Sequence, residues 1–309
     1  MAVGLHRSGS SRIRLQLIAG CAAAALSLIA CSNPEPVFDA DRAFSDLVTQ
    51  TEFGPRVPGT APHQQCGEWL RMQLGVLADS LIEQQFKDLP PGYSDSVLMV
   101  NYVGRFLPRS SRRILLCAHW DTRPFADMDP DSLNRLQSLP GANDGASGVA
   151  VLMEVARALR EQAPRVGVDI VFFDGEDAGR YGQEAGWCLG SRYFAAHMPA
   201  KYDWAILVDM VGDRDLQLFK EGYSLKYAGR LVEKVWKIAA AAGETAFRPE
   251  REDEIFDDHM PLLARGLQAI DIIDMRYPYW HTIQDTPDKC SPASLATVGR
   301  VLLHLVYSE

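Results

Sequence analysis

The sequence contains no Cys-x-x-Cys pair, no internal repeat, no low-complexity segment and no excess of basic charge. Each absence removes a class of protein. Without paired cysteines there is no zinc-finger framework. Without a repeat there is no solenoid or propeller. A net charge of −9, from 40 acidic against 31 basic residues, excludes nucleic acid as the natural partner. Long apolar runs are also scarce. The one uncharged stretch at the N-terminus, Leu15 to Ala30, is short for a membrane span.

That stretch reads instead as an export signal. Arg7, Arg12 and Arg14 precede it, and it ends in Leu28-Ile-Ala-Cys31, a pattern that resembles a bacterial lipoprotein signal. Cleavage would leave Cys31 as the lipidated first residue. The expected organisation is therefore a signal peptide over residues 1–30, a proline-bearing tether over 31–40 and one catalytic domain over 41–309. The expected location is the bacterial envelope, facing the periplasm. The chain would be held to the membrane only through the lipid, and Ser32 resembles the outer-membrane pattern. Four cysteines remain in the mature chain, Cys66, Cys117, Cys188 and Cys290, and their spacing chooses among no pairings.

What is present is an alternation of helical and strand patterns. Residues 44–51, 61–77, 146–161, 188–196, 225–242, 258–264 and 292–307 carry helical spacing. Residues 80–86, 97–106, 113–118, 168–173, 204–208 and 269–273 read as strands, several apolar on both faces. The expected fold is a three-layer α/β/α sandwich with a mixed, largely parallel sheet. Sites in such folds lie beyond the carboxyl ends of the strands. Acids and histidines gather there: His119-Trp-Asp121, Gly141-Ala-Asn-Asp144-Gly-Ala-Ser-Gly148, Asp174-Gly-Glu-Asp177, Asp209 and Trp280-His281-Thr282.

A catalytic zinc takes three N or O ligands and keeps one position open. Asp144, Asp177 and His281 supply that set. Glu176, pointing away from its neighbour Asp177, is free to act as a general base. His119 and Asp209 remain as supporting groups, or as ligands of a second metal bridged by Asp144. Burying this many carboxylates without a cation would be costly.

The motifs CAHWDT, GANDGASG, FFDGED, LVDMVGD and YWHTIQDT, in this order, resemble those of the zinc aminopeptidase-like family. Gly54-Pro-Arg-Val-Pro-Gly59, Trp187-Cys-Leu-Gly-Ser191 and Asp257-Asp-His-Met-Pro261 are more similar to its animal-type glutaminyl cyclases. The resemblance implies cyclisation of N-terminal glutamine to pyroglutamate with release of ammonia, on peptide or protein N-termini. It assigns Asp144, Asp177 and His281 to one zinc, Glu176 to acid–base work, and Asp257 and Trp280 to the substrate side. Ile255 and Tyr277 would be pocket walls, by a looser match. Asp177 stands where the cyclases usually have Glu, and Asp271 where the animal enzymes have His. Gly182 lies where they carry a tryptophan, so the wall there must be built differently. The competing expectation is a di-zinc aminopeptidase, with His119 and Asp209 facing the second ion.

Overall fold

The computed structural model describes Met1 and residues 35–309. The signal sequence and Cys31 lie outside the described residues. Four strands, β3 (Arg113–His119), β4 (Gly167–Phe173), β5 (Ala205–Asp209) and β8 (Ala269–Ile273), are buried along their whole length. Strands buried on both faces are typical of a parallel sheet covered by helices, and they pair in parallel in the order β4-β3-β5-β8, with β8 at the edge. β1 (Ser80–Asp88) and β2 (Val97–Phe106) extend the sheet past β4 by antiparallel pairing.

Successive strand residues point to opposite faces, and the core divides accordingly. Ile114, Leu116, Ala118, Ile170, Phe172, Ile206 and Val208 pack under α1 (Ala40–Glu52), α2 (Ala61–Leu77), α3 (Ala146–Glu161), α5 (Gly222–Ala242) and α7 (Pro292–Tyr307). Leu115, Cys117, Val171, Phe173 and Leu207 face the shorter α4 (Leu189–Ala196) and α6 (His259–Ala264). This is the α/β/α sandwich expected.

Local chemistry sets the helix boundaries that periodicity missed. α1 starts four residues before the expected Phe44 because Asp39 caps it, accepting from Arg42 N at 3.0 Å. α5 starts at Gly222 because Glu221 accepts from Tyr223 N and Ser224 N. A two-stranded sheet of β6 (Leu218–Lys220) and β7 (Phe247–Arg251) has no apolar alternation to announce it. Cys66, Cys117, Cys188 and Cys290 are buried and unbridged.

Candidate active site

The chain brings its acids together because the parallel strands end on one edge. His119 is the last residue of β3 and Asp209 the last of β5, while Asp174 follows β4 directly. Asp144 enters from the loop before α3, where its peptide bond to Gly145 is cis. Close packing demands the glycines here. A Cβ on Gly145 would stand 2.5 Å from His119 O, and one on Gly148 2.2 Å from Val208 O. These glycines admit the strand ends, rather than the ligand, to the helix mouth.

Donor atoms of Asp144, Asp177 and His281 lie within 4.8 Å of one another, all three residues buried. His281 Nε2 stands 3.6 Å from Asp144 Oδ2 and 3.5 Å from Asp177 Oδ1. The His281 backbone has φ 54°, a left-handed conformation that costs a non-glycine residue on the order of 1 kcal/mol. A second trio, His119, Asp144 and Asp209, satisfies the same spacing. There His119 Nε2 is 3.1 Å from Asp144 Oδ1 and 3.2 Å from Asp209 Oδ1. Asp144 is thus common to both, as the sequence suggested.

The electrostatics suit a bound cation. Burial, aided by Asp144, lifts the Asp177 carboxyl to about 7, against the pull of His281. Burial lifts Asp209 to about 7 as well. Burial would depress His119, but Asp209, Asp121 and Asp144 drive it well above its ordinary value. Asp177 Oδ2 and His119 Nδ1 are buried without a hydrogen-bond partner. An imidazole and two carboxylates with a free oxygen are the donor set of a catalytic zinc with an open position.

Glu176 sits on the same turn, half-buried, beside Asp257 and Cys188. Burial first, then Asp177 and Asp257, hold its carboxyl well above the usual range. Behind Asp257 lie three further buried carboxylates, Asp258, Asp271 and Glu221, with His259 among them. His259 Nε2 is 3.4 Å from Glu221 Oε2 and its Nδ1 3.9 Å from Asp271 Oδ2. Neither Asp258 nor Asp271 has a hydrogen-bonded carboxylate oxygen. The Ser191 hydroxyl donates to Cys188 O at 3.1 Å instead. Burial and Asp257 push both Asp258 and Asp271 well up.

Trp280 stacks on the His281 ring at 4.1 Å. Its indole N–H has no acceptor among the described residues, so it is free to donate. Ile255 packs with Trp280 and Tyr277 in one apolar cluster. Tyr277 is buried, and its hydroxyl donates to Asp285 Oδ1 at 2.7 Å. The wall by Gly182 is built from Tyr181 and Trp187. The Tyr181 hydroxyl is 3.3 Å from His281 Nδ1, and Trp187 lies nearly parallel to the His281 ring at 6.3 Å.

Several functional neighbours carried too little signal to be singled out. Asp285 accepts from Asn143 N at 2.8 Å and Asp144 N at 3.1 Å, holding the Asp144 loop. Asp121, noted only as part of a motif, accepts from Glu176 N at 3.0 Å and Asp177 N at 3.1 Å. Buried Arg123 donates to Asp177 Oδ1 at 3.1 Å and also engages Asp127. Asp127 lies 3.6 Å from His281 Nδ1. Their partners stand far away in sequence, so only position within a motif could have flagged them. Size does not flag the site either. Two cavities, of about 420 and 690 Å³, open elsewhere and are lined by none of these groups.

The profile of peptidase family M28 matches residues 101–306. Glutaminyl-peptide cyclotransferase of Bos taurus is 24% identical over 241 residues, 65% of this chain and 64% of the bovine one. The match therefore spans just under two thirds of that relative. The crystal structure of Bacteroides thetaiotaomicron glutaminyl cyclase, bound to N-acetylhistamine, superposes with a TM-score of 0.86 at 39% identity, covering 89% of this chain and 99% of that one. A Zn-dependent exopeptidase of Parabacteroides distasonis gives 0.86 at 36% identity, covering 89% and 100%. The chain belongs to peptidase family M28 and groups there with the glutaminyl cyclases.

Proposed function

We propose that this protein cyclises N-terminal glutaminyl residues of peptides or proteins to pyroglutamate, releasing ammonia. The observation that carries the reading is the placement of Glu176: a half-buried carboxylate beside the ligand trio, with Asp257 next to it. Likeness to glutaminyl cyclases supports it.

One zinc, held by Asp144, Asp177 and His281, would supply Lewis-acid polarisation of the γ-amide carbonyl. The substrate's own α-amine is the nucleophile, so the protein need hold only one rotamer for a five-membered ring to close. As the new C–N bond forms, Glu176 takes a proton from the amine. It returns that proton to the departing amide nitrogen, which leaves as ammonia. Asp257, with Asp271 close behind, steadies the proton on Glu176, since adjacent buried carboxylates resist joint ionisation. Trp280 covers the pocket and offers its indole N–H to the substrate.

A two-ion aminopeptidase is the competing reading, favoured by the second trio of His119, Asp144 and Asp209. Against it stand the Asp257-Asp258-His259 stretch and the likeness to glutaminyl cyclases. The deciding experiment is ammonia release from a glutaminyl peptide, run beside amino-acid release from the same peptide and metal analysis of the active protein. Ammonia with one zinc per chain supports the cyclase, and Asp257→Asn should then slow it. Trimming with two tightly held zincs and an active Asp257→Asn variant would overturn it.

The lipobox-like Leu28-Ile-Ala-Cys31 supports a further part of the proposal, that the enzyme works at the envelope on a lipid anchor.

A further inference from the structure

We propose that Cys188 is a positioning residue for Glu176: its thiol holds one carboxylate oxygen and leaves the other turned to the substrate. The inference rests on Glu176 being the acid–base group of the proposed reaction.

Cys188 Sγ lies 3.4 Å from Glu176 Oε1 and donates to it. No other side chain among the described residues donates to Glu176. The thiol is itself held in place by the turn it serves. Cys188 N donates to Glu176 O at 2.9 Å, and Leu189 N to Gly175 O at 3.1 Å. Cys188 O in turn accepts from the Ser191 hydroxyl at 3.1 Å and from Arg192 N at 3.0 Å. The start of α4 and the catalytic turn are therefore stitched together on both sides of the sulfur.

Two features argue that this is more than packing. Cys188 has φ 55°, a left-handed conformation that glycine or asparagine would adopt with less strain. Strain at a non-glycine residue beside a reacting group is a recognised mark of function. The thiol is also wholly buried. Burial and the nearby Glu176 push its ionisation well up, so it remains a neutral donor and offers no thiolate to take the substrate's proton in place of Glu176.

Without the thiol, Glu176 would sample rotamers that turn both oxygens away from the amine. A hydrogen bond of this kind is worth roughly tenfold in rate when it selects the productive rotamer. The experiment compares Cys188→Ala with Cys188→Ser in full-length protein loaded with zinc. Cys188→Ala should lower kcat about tenfold with KM unchanged, and Cys188→Ser, which keeps a donor, should recover most of it. Both variants should keep the metal content of the parent. Infrared difference spectra of parent minus Cys188→Ala isolate the Cys188 S–H stretch. That band should lie low, as for a thiol donating to a carboxylate, and should rise in Glu176→Gln. If Cys188→Ala keeps kcat within twofold, or Cys188→Ser is as slow as Cys188→Ala, or the band ignores Glu176→Gln, the positioning role is overturned. The infrared measurement stands apart from the reaction. A parent enzyme that trims peptides instead of cyclising them would sink the functional reading while the band still reports the thiol–carboxylate contact.

Discussion

The two halves of the site handle buried acid in opposite ways. On the ligand side, Asp144 and Asp177 meet His119, His281 and Arg123 at 3.1 to 3.6 Å. Backbone amides of Asn143 and Asp144 are tied down by Asp285. On the base side, Asp257, Asp258, Asp271 and Glu221 share one histidine, His259, and two of the four have no hydrogen-bonded oxygen. The first half groups its carboxylates around histidine and arginine nitrogens, an arrangement that a bound cation would complete. In the second, burial pushes Asp257, Asp258 and Asp271 up towards the protonated form, while Glu221, against burial, is held down to about 2 by His259, Ser224 and the Ile255 amide. One motif turn, Asp174-Gly-Glu-Asp177, straddles the boundary, giving Asp177 to the first half and Glu176 to the second.

The largest expected effect comes from cutting the halves apart at that boundary. Glu176→Gln should lower kcat by roughly 10²–10⁴-fold while zinc content, measured by elemental analysis, stays at the parent level. Loss of metal together with activity would mean that Glu176 belongs to the ligand half.

Next in size is a change that acts only on the ligand side. Asp285→Asn should weaken zinc affinity by about 10–100-fold, the range typical of a group that orients a ligand. Its carboxylate accepts two backbone N–H groups and the Tyr277 hydroxyl, and an amide would turn a donor on one of them. Competition with a chelator measures this, and excess zinc should restore activity.

A smaller effect, on stability, tests the base side. Burial and Asp257 hold Asp258 well above the ordinary carboxylate range. The folded chain therefore keeps this proton after the unfolded chain has lost it, near pH 4. Where the folded state binds more protons, stability falls as pH rises, from about pH 4 up through the raised folded value. Asp258→Asn cannot ionise and escapes that loss. Its Tm relative to the parent should climb between pH 5 and pH 8. A difference that stays flat or falls would show that Asp258 is ionised and compensated.

The smallest effect on turnover should come from outside both halves. Cys31→Ala should leave kcat within the roughly twofold scatter of a distant substitution yet release the protein from the membrane fraction or block its processing. A processed, membrane-bound variant would contradict the lipobox reading.

Much of this was legible from residue order. Strands of nearly pure apolar character, such as Val168 to Phe173, announced a largely parallel, buried sheet, and acids at their ends announced where the site would be. Asp144 could be proposed as a ligand because it sits in a turn of small residues, and Glu176, Asp177 and His281 because they stand in motifs that resemble the family's. Helix ends were less legible, since α1 and α5 begin where the side chains of Asp39 and Glu221 cap them. The β6–β7 pair was not legible, because Phe-Arg-Pro-Glu-Arg is exposed over most of its length and has no face to bury.

The supporting residues differ in kind. Asp285 acts on Asn143 across 142 positions, Asp121 on Glu176 across 55, and the thiol of Cys188 on Glu176 from a separate helix start. Burial of apolar runs is a local property, repeated every two or every 3.6 residues, so residue order alone dictates the layers and the direction of the strands. Whether a carboxylate is charged depends on the reciprocal of its distance to other charges and on how much water is left around it. Those distances are set when β3, β4, β5 and β8 come side by side. Folding therefore gathered one family of acids around His119 and His281 and the other behind Glu176, although in the sequence the two read alike.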